Sequence, residues 1–259
     1  MTDEPLPPVN FAPTPPDPSE TPPPAPTPER QPFWGYSDLL LFAGLLVPCL
    51  LLATGLVKVV FVVYHIPAGT GVLRILPEQL LGYLLIFGSL ALILRLQYDR
   101  PFWRSLAWTP MGLPFSLIVI GGIACAVAVA TLSWLIQTPT KANQMTELMQ
   151  DRTSTILMAV FGTTVAPIAE ELAFRGFLQP LLVRSLGALP GILMASLPFG
   201  FLHFHEYGNS WRHALLIGLA GASFGWMRHA TGSTKASAMM HAAYNGMIFV
   251  AVFTQGRGR

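Results

Sequence analysis

The most charged patch in the apolar part of the sequence is the pair Glu170-Glu171, with Arg175 a short distance further on. A charged side chain at the centre of a bilayer costs from ~2.5 to more than 10 kcal/mol, so such residues rarely lie there without a partner or water. Glu171 and Arg175 are spaced i, i+4 with the acid first, which favours an ion pair on one helix face. Glu170 lies about 100° round the helix and is left free to act as a base. The alternative is a structural ion pair, or the end of a segment lying in the membrane interface.

Two other apolar runs carry isolated polar side chains. One run ends in the string FGFLH at His203, and another places His241 and Asn245 at i, i+4 on one helix face. Taken alone, His203 is typical of an interfacial or hydrogen-bonded histidine. His241 and Asn245 alone are typical of polar side chains that hydrogen-bond between membrane helices.

The three sites taken together predict a site that activates water for hydrolysis. Neutral imidazoles can bind a metal or hold a water, and a nearby carboxylate can accept the proton of that water. An asparagine can donate to a developing oxyanion. The sequence contains no HExxH zinc motif. The hydrolytic interpretation therefore requires that these side chains face one cavity.

The elements that carry these residues are apolar enough to be membrane helices. The chain has 52% hydrophobic and 11% charged residues, whereas a soluble domain has roughly 25% charged residues. A membrane span needs ~20 mostly apolar residues and forms a helix, because lipid offers no partner to open backbone groups. We therefore predict an all-α, polytopic integral membrane bundle with seven or eight transmembrane helices and an intramembrane polar cavity. The predicted spans are 38–63, 79–97, 114–136, 154–183, 189–205, 212–229 and 234–254.

Three regions are predicted along the chain. Residues 1–36 form a proline-rich, acidic and disordered tail, either a spacer or a docking site for a proline-recognising partner. Residues 37–150 form amino-terminal transmembrane helices with an interfacial segment near 98–113, where Arg and Trp residues favour the membrane boundary. Residues 151–259 form the catalytic transmembrane region, in which Pro167 kinks a helix just before the charged patch.

Charge and cysteine content exclude other classes of protein. The net charge of +2 is too small for a nucleic-acid-binding surface. Cys49 and Cys125 both lie in apolar runs, which excludes a disulfide framework and a cysteine-rich zinc site. The interfacial segment and the acidic tail together favour an amino terminus on the cytoplasmic side.

The three polar motifs resemble those of a known protein family. Glu170-Glu171-x-x-x-Arg175, Phe199-x-x-x-His203 and His241-x-x-x-Asn245 are similar, in this order, to the motifs of the CPBP family of intramembrane proteases. This family comprises the CAAX proteases and bacteriocin-processing enzymes, also called ABI, and includes the type II CAAX prenyl endopeptidase. The resemblance covers about residues 155–250.

The resemblance implies a role for each motif residue around a conical cavity that opens to the cytosol. Glu170 would be the general base, and His203 would hold the attacking water or a metal. His241 and Asn245 would stabilise the oxyanion. Glu171 and Arg175 would support the geometry.

The resemblance leaves the metal open. The family is usually described as metalloproteases, yet a glutamate endopeptidase mechanism without bound metal has also been argued. His203 and His241 are the candidate zinc ligands. Their spread over separate helices, without a closely spaced metal motif, favours a site with no permanently bound metal.

The sequence thus predicts an intramembrane endopeptidase that hydrolyses a peptide bond of a membrane-anchored protein or peptide. We expect a multi-pass protein of a prokaryotic plasma membrane whose active site faces the cytoplasm. The substrate, its prenylation and the oligomeric state are not encoded. The alternative is a non-enzymatic membrane protein on the same fold, serving bacteriocin immunity, scaffolding or transport. The sequence has no convincing internal repeat and its polar sites lie only in the carboxyl-terminal half, which favours the enzyme over a transporter.

Overall fold

The computed structural model describes residues 31–66, 71–139 and 143–256, and every regular element in these ranges is a helix. The predicted all-α class is therefore confirmed for this part of the chain. Residues 1–30 of the predicted tail lie outside it. The elements are α1 (Tyr36–Val63), α2 (Gly71–Tyr98), α3 (Phe102–Ser105), α4 (Phe115–Leu135), α5 (Gln144–Leu148), α6 (Arg152–Thr163), α7 (Val165–Glu171), a π-helical turn (Leu172–Leu178), α8 (Gln179–Leu186), α9 (Ala188–Leu202), α10 (Trp211–Thr231) and α11 (Thr234–Thr254).

Five helical stretches in the described part are long and apolar enough to cross a membrane. They are α1, α2, α4, the stretch Arg152–Leu186 that contains α6 to α8, and α11. The helix α9 is apolar but has only 15 residues, which is fewer than the ~20 that a span needs. The helix α10 is not among the five. The structure thus supports an integral membrane protein with five candidate spans, fewer than the seven or eight predicted.

The stretch Arg152–Leu186 is a helix with two irregularities next to the charged patch. Thr164 separates α6 from α7 with φ −125° and ψ −76°. Proline lacks a backbone donor and clashes with the carbonyl four residues earlier, which for Pro167 is the carbonyl of Thr163. The π-helical turn follows directly after Glu171 and contains Arg175. Because both irregularities flank α7, the carboxylates lie on a short, locally unusual helix.

Two close helix contacts depend on glycine. A Cβ atom at Gly200 of α9 would collide with the carbonyl oxygen of Ala214 in α10. A Cβ atom at Gly122 of α4 would collide with the carbonyl oxygen of Met240 in α11. Small residues let membrane helices approach closely, so these two contacts fix α9 and α11, which carry the predicted histidines.

The packed part of the chain begins earlier than the predicted tail boundary at residue 36. Trp34 is buried, its Nε1 donates to the carbonyl of Phe177 at 3.1 Å, and its ring stacks on that of Phe177 at 5.2 Å. A large apolar side chain gains enough by burial to order the backbone before α1. The chain from residue 31 onwards forms one compact unit, and the predicted division at 150/151 into amino-terminal and catalytic helices stays a prediction.

The helix ends divide between two ends of the bundle. We call the end where α1 begins the proximal end. There the hydroxyl of Tyr36 donates a hydrogen bond to Ser185 Oγ at the end of α8. The start of α11 lies there too, because Thr234 Oγ1 donates to the carbonyl of Leu106 beside α3. The helix α9 runs back from the end of α8, so its last residues lie at the opposite, distal end. Arg212, at the start of α10, bonds the carbonyl of Gln137 after α4 at this distal end.

Candidate active site

Glu171 is a fully buried acceptor at the centre of the bundle, with a side chain 0% exposed. Its carboxylate accepts from Arg175 Nη1 at 2.7 Å, from Ser237 Oγ at 2.5 Å and from His241 Nδ1 at 3.0 Å. The predicted ion pair with Arg175 is thus present. Three donors satisfy the carboxylate, which makes burial of its charge tolerable.

Arg175 contacts two neighbouring helices, α9 and α10. Its Nη2 donates to the carbonyl of Gly221 in α10 at 2.6 Å. Its guanidinium lies 4.3 Å from the ring centroid of Phe199 in α9, a cation–π distance. The side chain is 1% exposed. Arg175 therefore contacts both α9 and α10 and does not reach the open space beside Glu170.

The contact with Glu171 fixes the tautomer of His241. A carboxylate can only accept, so Nδ1 of His241 carries the hydrogen and Nε2 of the neutral ring keeps its lone pair. Nε2 lies 3.9 Å from Oε2 of Glu170. Phe224 stacks on the imidazole at 4.4 Å between ring centroids and holds its plane. His241 thus presents an acceptor nitrogen next to a second carboxylate.

Glu170 differs from its neighbour in both exposure and bonding. Its side chain is 22% exposed, and it forms no hydrogen bond with any residue in the described part of the chain. Glu171 is occupied by three donors, whereas Glu170 is free to bind water. The two carboxylates have therefore divided into a supporting group and an available group, as the helix geometry predicts.

His203 lies at the end of α9, where the chain leaves the helix. Its Nδ1 is 2.8 Å from the carbonyl oxygen of Phe199. A carbonyl only accepts, so Nδ1–H is the donor and Nε2 keeps a lone pair, as in His241. Both predicted histidines therefore offer the same kind of atom to a water or a ligand.

One cavity of about 230 Å³ brings these groups together. Glu170, His203, His241 and Asn245 all line it, with apolar side chains from several helices around them. Glu171 and Arg175 lie behind this wall. The cavity wall includes the beginning of α2, residues of α5 and the loop after α9, which all lie towards the distal end.

Asn245 is partly committed to a structural bond. Its Nδ2 donates to the carbonyl of Gly162 in α6 at 2.7 Å. This bond ties α11 to the helix that precedes the two carboxylates. An amide nitrogen carries two hydrogens, so one donor of Asn245 remains for the cavity.

Sequence reasoning missed the polar groups that come from outside the three motifs. Glu206, Tyr83, Tyr207 and Tyr244 also line the cavity. Burial raises the pKa of Glu206, with opposite contributions from His203, which lowers it, and Glu170, which raises it. Burial and the charge of Glu206 raise the pKa of Tyr207 to about 12. The position of Glu206 three residues after His203 was the available signal, whereas nothing in the sequence near Tyr83 pointed to this site.

The candidate metal ligands do not form a metal-binding cluster by themselves. Within the described ranges, no group of three or more His, Cys, Asp and Glu side chains could hold a metal ion. His203 and His241 each offer an Nε2 atom, but a catalytic zinc site uses three protein ligands. The zinc prediction for these two histidines stays a prediction.

The predicted cytoplasmic amino terminus and the predicted cytoplasmic active site are incompatible in this structure. The cavity lies towards the distal end, whereas α1 begins at the proximal end. If the bundle crosses the membrane, a cytoplasmic amino terminus places the cavity opening on the other side. A cavity that faces the cytoplasm requires the start of α1 to lie on the far side.

Comparison with known proteins gives one family match. Residues 152–247 match the family model described as "Rce1-like: Type II CAAX prenyl endopeptidase Rce1-like". No curated protein and no solved structure gives a significant match. The matched range contains all the motif residues from Glu170 to Asn245 and confirms the resemblance to the CAAX-protease family. It points to a protease.

Proposed function

We propose that this chain, similar over residues 152–247 to the Rce1-like type II CAAX prenyl endopeptidases, is an intramembrane endopeptidase with Glu170 as its base. Its substrate is a membrane-anchored protein or peptide, and it cleaves a peptide bond by direct attack of water. The single observation that carries this proposal is the contrast between the two adjacent carboxylates. Glu171 is saturated by three donors, whereas Glu170 is unbonded, partly exposed and next to an imidazole acceptor in one cavity.

The first step is the activation of water. A water in the cavity donates one hydrogen to Glu170 and the other to Nε2 of His203 or His241, both of which are acceptors. Such bonds need heavy-atom distances of about 2.6–3.2 Å, which one water beside the Glu170–His241 pair can satisfy. Glu170 then takes the proton while the water oxygen bonds to the carbonyl carbon of the substrate.

The second step stabilises and breaks down the tetrahedral intermediate. The remaining amide hydrogen of Asn245 is the donor that the cavity offers to the oxyanion. His241 is neutral in this scheme, so its Nε2 holds the water as an acceptor and does not donate to the oxyanion. Glu170 returns its proton to the leaving nitrogen as the carbon–nitrogen bond breaks, which leaves a carboxylic acid and an amine.

Glu171 and Arg175 act through other groups in this scheme. Glu171 sets the tautomer and the ring direction of His241, in the way that a carboxylate orients a histidine in many active sites. Arg175 neutralises Glu171 and holds it against α10. We therefore assign both as positioning residues.

The cavity lining supports a substrate that approaches from the lipid. Apolar side chains such as Phe161, Phe224 and Phe249 surround the polar groups. An extended peptide near such a wall gains from apolar anchoring, while the few polar groups orient its carbonyl.

The test is cleavage of a panel of membrane-tethered peptides by purified protein in lipid nanodiscs. Glu170→Gln is expected to lose cleavage of every peptide that the wild type cuts. Asp99→Asn is the matched control, because Asp99 is a carboxylate at the proximal end that pairs with Arg95. Full cleavage by Glu170→Gln would contradict the assignment of the base. A wild type that cuts no peptide would favour the non-enzymatic alternative.

A further inference from the structure

A second cavity, of about 330 Å³, lies at the proximal end of the bundle, away from the proposed active site. We call it the basic pocket. Its wall contains basic and amphipathic side chains from four parts of the chain, among them Gln31, Trp34, Arg104, Arg184, Arg228 and His229. None of the carboxylates in the described ranges lines it.

The three arginines of the basic pocket have only neutral partners within the described part of the chain. Arg228 Nε donates to Thr234 Oγ1 at 3.0 Å, and Arg184 Nη1 donates to the carbonyl of Pro32. Arg104 forms no hydrogen bond or ion pair with a described residue. A guanidinium has five N–H donors, so most of the donors in this pocket have no acceptor among the described residues.

The helix dipole gives a simpler explanation of each arginine, but not of the group. Arg104, Arg184 and Arg228 each lie in the last turn of a helix, namely α3, α8 and α10. The carboxyl end of a helix carries roughly half a negative charge, which favours a cation there. Three full charges against at most three such half charges leave an excess of at least roughly +1.5 in one cavity. This excess favours an anion in the pocket.

Aromatic side chains beside the basic pocket favour a position at the level of lipid headgroups. Trp34 forms part of its wall, and the neighbouring Trp103 and Tyr36 are exposed. Tryptophan and tyrosine are enriched where the hydrocarbon core meets the polar headgroups. The exposed apolar side chains of α1 and α2 continue from this level towards the distal end.

We propose that the basic pocket binds a phosphate group, supplied by the headgroup of an anionic membrane lipid. Arginine forks match phosphate oxygens with two parallel hydrogen bonds, and basic pockets between membrane helices are typical sites for such headgroups. Arg104 and Arg184 supply the accessible donors, and Arg228 closes the inner wall. Because Arg184 also holds Pro32, a bound lipid stabilises the contact of residues 31–35 with α8.

The experiment measures binding to the full chain purified in a neutral detergent. One arm titrates short-chain phosphatidylglycerol against phosphatidylcholine and counts the retained lipids by native mass spectrometry, with thermal stability as the second readout. The other arm titrates inorganic phosphate alone. The variants are Arg104→Gln/Arg184→Gln and the control Lys235→Gln, which removes an exposed charge at the same end outside the pocket.

Phosphatidylglycerol should bind the wild type and Lys235→Gln equally, and the double variant about tenfold more weakly or worse. Saturable binding of inorganic phosphate with the same loss in the double variant would support the phosphate site and identify a soluble source. Equal phosphatidylglycerol binding by all three proteins would overturn the proposal, as would no preference over phosphatidylcholine. If the double variant misfolds, Arg104→Gln alone decides in the same way, because Arg104 makes no structural bond.

Discussion

The buried pair of Glu171 and Arg175 gives a stability prediction with a built-in comparison. Replacing Arg175 by Met keeps the volume but leaves Glu171 as a carboxylate with no cation in a site that is 0% exposed. Breaking a buried ion pair by removing one partner typically costs about 3–5 kcal/mol. The carbonyl of Gly221 also loses its donor, which adds about 1–3 kcal/mol. The expected loss for Arg175→Met is therefore at least about 3 kcal/mol.

The double variant Glu171→Gln/Arg175→Met separates the charge effect from lost packing. It removes both charges, and the amide of Gln still accepts from Ser237. Because apolar or neutral replacement of a whole buried pair is often nearly neutral, the double variant should be more stable than Arg175→Met alone. The matched control is Arg95→Met, since Arg95 pairs with Asp99 at the same i, i+4 spacing but is 68% exposed. An exposed pair contributes about 0–1 kcal/mol.

The assay is equilibrium unfolding by SDS titration in mixed micelles, followed by tryptophan fluorescence. The free energies of unfolding of the wild type, Glu171→Gln, Arg175→Met and the double variant give a double-mutant cycle for the pair. Arg175→Met with wild-type stability would refute the view that Arg175 neutralises a buried charge. A double variant less stable than the single variant would show that packing, not charge, explains the loss.

Three further predictions test other parts of the structure. Glu206→Gln should raise the melting temperature at neutral pH, because the raised pKa of Glu206 makes stability complete below the ordinary carboxyl pKa and lower as the pH rises through the folded pKa. A scan of melting temperature against pH should show this dependence in the wild type and not in the variant. Gly200→Ala should lower thermal stability because its Cβ collides with α10, while Gly246→Ala, whose Cβ meets nothing within 4 Å, should be neutral or stabilising; equal melting temperatures would contradict the close packing. His203→Asn should retain a trace of cleavage if the histidine only holds water. Near-stoichiometric zinc in elemental analysis of the purified protein, with cleavage lost on chelation and restored by zinc, would instead establish a metal enzyme.

The different bonding of Glu170 and Glu171 could be predicted from sequence because it depends on local helix geometry. The i, i+4 spacing gives the Glu171–Arg175 pair without knowledge of the fold. The same is true of the break at Thr164, which follows from the steric clash of Pro167 with the preceding turn.

Contacts between residues that are far apart in the sequence could not be predicted in this way. The hydrogen bond from His241 to Glu171 joins residues 70 positions apart. Ser237 also donates to Glu171, but it lies in an apolar run where nothing marks it as a donor to a carboxylate. Glu206 lines the cavity only because the fold brings the distal ends of α2, α9 and α11 together. The packing of residues 31–35 against the bundle depends on the burial of Trp34 against Phe177. Composition alone does not reveal this contact.

The extent of the membrane helices was predicted less well because hydropathy records composition and not packing. The helix α2 begins at Gly71 rather than at residue 79, since polar residues such as Arg74 and Glu78 pair with one another on its first turns. The helix α9 stops at Leu202. One face of α9 packs against α10 at Gly200, whereas Leu193, Leu197 and Phe201 on its other side are exposed.

The central claim is that Glu170 is the base, and single-turnover cleavage of one tethered peptide tests it most directly. Rates are compared for the wild type, Glu170→Gln, Glu206→Gln and Asp99→Asn, with melting temperatures to confirm folding. General base catalysis contributes about 10²–10⁴-fold, so Glu170→Gln should be slower by at least about a hundredfold while it stays folded. Asp99→Asn should match the wild type. A folded Glu170→Gln that cleaves within about threefold of the wild-type rate, far less than the loss of a general base causes, would contradict the account.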